Sequence, residues 1–225
     1  MSEYILMIGA YGWQHPRWIE EFYPEGLPPE WQLGFYGNEF PVVLIPAAYW
    51  QQTDLSVDAW LEETDTSPLF ITEWPNDFAA RERARMGMQT LGARGLGFVI
   101  ELEQTPSSAD LPIYRALLAK HALVFDMANL SMPEREATLS ALTHELGENR
   151  FGLCWHGDPQ TQANLARGPM TLTRISAVQD HKDLRRIIEA NLGQSEQNRK
   201  KILIVDGDPP DIQLIQNAGI MLDLL

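Results

Sequence analysis

A chain of 225 residues is long enough to bury a sizeable core and is expected to form one domain over residues 1–225. Seventeen Lys and Arg face 31 Asp and Glu, and the net charge of −14 argues against nucleic acid or an anionic membrane as partner. The single cysteine, Cys154, rules out an internal disulfide and fits a reducing, cytoplasmic setting.

Neither a basic segment followed by an apolar leader nor an apolar run of about eighteen residues is present, so neither a signal peptide nor a membrane span is expected. Short runs rich in Val, Ile, Leu and Phe recur along the chain. They predict strands over residues 4–9, 42–46, 69–72, 97–102, 122–126, 151–155, 171–175 and 202–205. Helical signals are clearest over 77–91, over 133–146, where Ser131-Met132-Pro133-Glu134 gives a cap-then-proline entry, and over 180–192. The polar stretch 193–201 reads as a helix end and a loop. Continuous apolar strands, each followed by a helix, indicate a parallel sheet covered on both faces.

Eight such units predict an α/β fold of the closed (β/α)₈ TIM-barrel type. Only 19 residues separate Trp155 from Arg174, so segment 160–167 is expected to hold no more than a short helix. The alternative is an open, doubly wound sheet. Against it, Gly9-Ala10-Tyr11-Gly12 lacks the later glycine of a dinucleotide-binding loop.

The end of the first strand, Gly9-Ala10-Tyr11-Gly12-Trp13, is followed by Phe22-Tyr23-Pro24-Glu25-Gly26-Leu27, then Tyr36 and Phe40, Tyr49 and Trp50, and Trp60. This series resembles the YecE-like family, known as domain of unknown function 72. Leu172-Thr173-Arg174 resembles that family's strand ending in arginine, and residues 202–225 resemble its last strand and helix. The resemblance implies a TIM-type barrel. It also exposes departures. The family's second strand carries a Glu and an Asn where this chain reads Val43-Leu44-Ile45-Pro46. Ser176-Ala177 replaces a His-Gly, and Val205-Asp206 replaces a pair of Asn.

In a TIM barrel, the carboxyl ends of the strands share one mouth. That places Glu73, Glu101, Asp126, His156, Arg174 and Asp206 together from six strands. Glu73, Glu101 and His156 are the candidates for moving protons. Arg174, inside an apolar strand, must be paired or sit at a polar mouth. It is either a two-pronged clamp for a carboxylate or phosphate, or the centre of an ion pair with Glu101 or Asp206. Trp13, Tyr49 and Trp155 could stack on a sugar or nucleobase, with Asp126 and Asp206 beside them, or could pack as a lid. In the cluster Cys154-Trp155-His156-Gly157-Asp158, the Cys and His point to the same side but are too constrained for a nucleophile–base pair. Cys154 therefore reads as packed in the barrel, with His156 in the loop after it.

The cofactor remains unknown. A divalent ion could be held through carboxylate oxygens with His156 as nitrogen ligand, but without a closely spaced ligand motif no metal ligand is assigned. Asp206-Gly207-Asp208 falls short of a calcium loop. Two readings follow: a small-molecule-binding barrel with degenerate activity, or a metal-assisted hydrolase or isomerase acting on an anionic or sugar-like substrate. Unpaired carboxylates facing a cavity would favour the enzyme, and a mouth closed by tryptophans and ion pairs would favour the binder.

Overall fold

The computed structural model describes residues 6–193 and 199–225, and its eight strands close into one all-parallel barrel in sequential order. The strands are β1 (Met7–Tyr11), β2 (Val42–Ile45), β3 (Leu69–Glu73), β4 (Gly95–Glu101), β5 (Ala122–Asp126), β6 (Gly152–Trp155), β7 (Met170–Ile175) and β8 (Lys200–Val205). Around them lie α1 (Trp18–Glu21), α2 (Gln32–Glu39), α3 (Val57–Glu63), α4 (Phe78–Leu91), α5 (Asp110–Leu118), α6 (Met132–Leu146), α7 (His181–Leu192) and α8 (Ile212–Asp223). The open-sheet alternative is thereby excluded. Of the predicted first strand, Tyr4 and Ile5 lie outside the described residues, as does 194–198 of the predicted loop.

The helix starts follow local chemistry. Asp77 accepts a bond from the Ala80 amide at the head of α4, and Asp180 accepts from the Lys182 and Asp183 amides (2.8 and 2.9 Å) at the head of α7. Glu134 reaches back to the Ser131 amide and hydroxyl (2.8 and 2.6 Å) to fix the start of α6. Replacing Asp180 by Ala leaves two amides of the first turn of α7 without this acceptor. The expected cost is about 0.5–2 kcal/mol in a urea titration; no measurable change would mean water serves those amides as well.

Two apolar layers arise from strand alternation. Met7, Val42, Leu44, Ile71, Leu96, Val99, Val124, Cys154, Met170, Leu172, Ile202 and Ile204 form one cluster drawn only from strands, which is the barrel interior. The alternate strand positions, such as Ala10, Val43, Phe70, Phe98, Phe125, Trp155 and Val205, pack outward against the helices. In β4 the register against β3 shifts at Gly97, whose added Cβ would lie 2.2 Å from the Ala122 carbonyl. That irregularity lets Leu96 and Val99 both face inward despite their odd spacing.

The loop after β1 and helix α2 lock the β1–β2 seam. Tyr36, fully buried on α2, donates its hydroxyl proton to the Val42 carbonyl and accepts from the Ala10 amide, both at 2.8 Å. A tyrosine oxygen is thus inserted into the ladder between two strands. Trp18 lies nearly parallel to that ring, with centroids 6.3 Å apart, and donates through Nε1 to the Pro210 carbonyl. Tyr23 donates to the Trp13 carbonyl, while Phe22 packs on Phe35 and Phe40. Trp18 and Trp60 are buried in packing, as expected, whereas Trp31 is 61% exposed.

Between β6 and β7 the crossover is a 3₁₀ helix, Pro159–Ala166, in place of a full α-helix. The shortened unit expected from the 19-residue spacing is therefore present.

Candidate ligand site at the barrel mouth

Inward alternation continues past the apolar layer and delivers one residue per strand to the mouth. On β1 it is Tyr11, two positions beyond Gly9; on β2 it is Pro46, two beyond Leu44. The remaining strands deliver Glu73, Glu101, Asp126, His156, Arg174 and Asp206, the six residues expected at the strand ends. Five of these six are directly linked to one another; Glu101 stands apart.

Arg174 is the centre. Its Nε donates to Asp206 Oδ2 at 2.8 Å, and one terminal nitrogen reaches Glu73 Oε1 at 3.1 Å and Asp206 Oδ1 at 3.3 Å. The other terminal nitrogen lies 3.6 Å from Asp126 Oδ2. The guanidinium also sits 5.6 Å from the centre of the Tyr11 ring. Its side chain is 11% exposed. Burial alone would lower its pKa, but Asp206 and Glu73 raise it overall, so the charge is fixed. Of the two readings for Arg174, the ion pair with Asp206 is the one present, extended to Glu73 and Asp126. Glu101 instead is exposed and accepts from Asn129 Nδ2 at 2.9 Å.

The carboxylates respond differently to this environment. Glu73 is pushed up by burial, which outweighs the opposing effects of Arg174, the Ala47 amide (3.1 Å) and the Tyr11 hydroxyl (2.9 Å). Burial also raises Asp126, yet His156, the Ala128 amide and Arg174 together hold it below the usual carboxylate range. His156 Nε2 lies 2.9 and 3.0 Å from the two Asp126 oxygens. Cys154, one layer below, is sealed, and burial followed by the Asp126 charge pushes its thiol well up. It is packed in the barrel as the sequence implied.

The aromatic candidates are placed elsewhere. Trp13 is 1% exposed and meets Tyr49 and Trp60 edge-on at 4.9 and 5.0 Å. Tyr49 is half-buried on that cluster and accepts a bond from the Gln14 amide at 3.3 Å. Trp155 is fully buried; it lies between two inward residues, Cys154 and His156, and so points into the helix layer, donating to the Asp158 carbonyl at 2.7 Å. Trp13 and Trp155 are packed in the core, while Tyr49 packs on Trp13 and keeps partial exposure. Tyr11, by contrast, was not singled out from sequence although its parity with Met7 and Gly9 marks it.

The second-strand departures now have a location. Leu44 and Pro46, where Glu and Asn are expected from the resemblance, are the last inward position of β2 and the inward position just after it. Leu44 belongs to the interior cluster, and beyond Pro46 only the Ala47 backbone amide reaches the carboxylates.

An eight-stranded parallel barrel with polar residues gathered at the carboxyl ends of its strands defines a TIM-barrel protein. A family model described as protein of unknown function DUF72 matches residues 7–201, and the chain belongs to that family. No curated protein matches the chain. Among the described residues no helix is long and apolar enough to cross a membrane.

Proposed function

We propose that this chain is a cytoplasmic, single-domain ligand-binding barrel of the DUF72 family whose mouth takes a small positively charged ligand. The observation that carries the reading is the charge count around Arg174. Three carboxylates, Glu73, Asp126 and Asp206, converge on one guanidinium. One cation among three anions leaves the ring negative, and the raised Glu73 reflects the cost of burying that charge. An anionic substrate would find all three guanidinium nitrogens already directed at carboxylates, so the clamp role for Arg174 is disfavoured. A binder is favoured over an enzyme because the buried carboxylates already have partners and the β2 edge of the mouth is apolar.

One pair supports the catalytic alternative. His156, 40% exposed in its side chain and held by Asp126, is a positioned imidazole with access to solvent. Metal-assisted hydrolysis or isomerisation of a sugar-like substrate would run through it and not through Arg174.

Thermal shift of EDTA-stripped protein against divalent ions, small diamines, phosphate and citrate tests the reading. A cation at a hundred times its dissociation constant should stabilise by about 2.7 kcal/mol, a rise of roughly 5–11 °C for this size. Phosphate and citrate should leave the melting temperature unchanged. Stabilisation by the anions alone would overturn the proposal.

A further inference from the structure

We propose that Asp126, Cys154 and His156 form a binding site for a zinc-class divalent transition-metal ion. The inference rests on the cation-binding reading of the mouth and names the cation. One ligand atom from each residue, a carboxylate oxygen, the Cys154 sulfur and an imidazole nitrogen, lies within 4.8 Å of both others. Around tetrahedral zinc, with bonds of about 2.0–2.3 Å, ligand atoms sit roughly 3.3–3.8 Å apart. Closing this set on an ion therefore needs movements of about an ångström.

The three side chains are delivered by rigid elements. Asp126 ends β5, and Cys154 and His156 occupy successive inward positions on and just after the neighbouring β6. Sulfur, nitrogen and oxygen together are a softer set than the all-oxygen cages that suit magnesium and calcium. Three protein ligands leave a fourth position open, as in catalytic zinc sites. A cleft of about 320 Å³ beside the short Pro159–Ala166 crossover reaches Cys154 and His156, with Met127, Arg135 and Asn164 on its walls. The route in from solvent runs past His156, whose side chain is 40% exposed at the mouth.

The charges also close. A divalent ion is neutralised by the Asp126 carboxylate and a Cys154 thiolate, the thiol proton leaving to solvent as the metal–sulfur bond forms. Arg174 then keeps its shorter contacts to Glu73 and Asp206 and gives up only the 3.6 Å approach to Asp126. The excess of carboxylate over guanidinium at the mouth is what such an ion would offset.

Cobalt(II) is the probe. Added to the EDTA-stripped full chain, it should bind one to one and produce a sulfur-to-cobalt charge-transfer band in the near ultraviolet, with the intense visible bands of a four-coordinate ion. Zinc should displace it and bleach both. Cys154→Ser should lose the charge-transfer band, with Cys154→Ala as the second variant should the serine not fold. His156→Ala should weaken binding by about 100-fold or more, beyond the roughly 10–100-fold of residues that only orient ligands. Cobalt uptake without the band, or a band unchanged in both Cys154 variants, overturns the assignment while leaving a cation-binding mouth standing. Absence of uptake, with no stabilisation by diamines either, overturns both.

Discussion

Arg174→Met is expected to be the most damaging single substitution at the mouth, costing about 3–5 kcal/mol at neutral pH. The methionine fills similar volume, so the loss is electrostatic: buried Glu73 and Asp126 and half-buried Asp206 remain together with no cation among them. At about 2–4 °C per kcal/mol for a domain of this size, the metal-free variant should melt roughly 6–20 °C lower. The pH dependence gives the sign. In the native chain Asp126 is held below its ordinary value, so it contributes stability above the unfolded carboxylate pKa and loses it as the pH falls through the folded one. Glu73 is already raised by burial with Arg174 opposing that rise, so without Arg174 it rises further, and the variant loses stability as pH increases through that raised value. The gap between variant and wild type should therefore narrow on acidification from pH 7 towards pH 4.5, about the ordinary carboxylate range. Adding Asp206→Asn to Arg174→Met should recover part of the loss. A gap that stayed constant with pH would mean that packing, and not charge, made Arg174 necessary.

Tyr36→Phe should cost about 2–5 kcal/mol, far more than removal of one hydroxyl usually does. The hydroxyl bridges two strands, and without it both the Ala10 amide and the Val42 carbonyl are left buried and unpaired. Each such group costs roughly 1–3 kcal/mol. The added Cβ of Gly9 would come within 1.8 Å of that same carbonyl, so the strands approach too closely there for a side chain on β1 to fill the gap. Urea denaturation gives the magnitude, and amide exchange gives the place: protection at Ala10 should fall more than at Val99 across the barrel. A loss below about 1 kcal/mol would mean the β1–β2 ladder closes directly once the oxygen is gone.

Much of the barrel was legible because its strands are buried on both faces and so read as unbroken apolar runs. The short crossover was legible too, since 19 residues cannot hold a strand, a full helix and two loops. At the mouth, polar residues interrupting apolar strands marked Glu73, Asp126, Arg174 and Asp206 correctly as neighbours. The burial of Trp13 and Trp155 was not legible, for a physical reason. Trp155 sits at a strand end, yet alternation turns it outward, and proximity to the end of a strand does not fix which side a ring takes. Trp13 lies beyond β1 altogether, in a loop whose course depends on the Tyr23 and Trp60 contacts. The pairing of Cys154 with Asp126 lay beyond a linear reading, because it depends on β5 and β6 being adjacent and on their register.

The tryptophans, finally, divide the molecule optically. Six of the seven fall within the first 74 residues, four of them buried around β1, β2 and β3, while Trp155 stands alone in the second half of the chain. Intrinsic emission is therefore a report on one side of the barrel. Trp155 adjoins His156 in sequence and is the single indole of the opposite side. A chain carrying it as the sole indole would turn events beside the short crossover into a signal that the other six now drown.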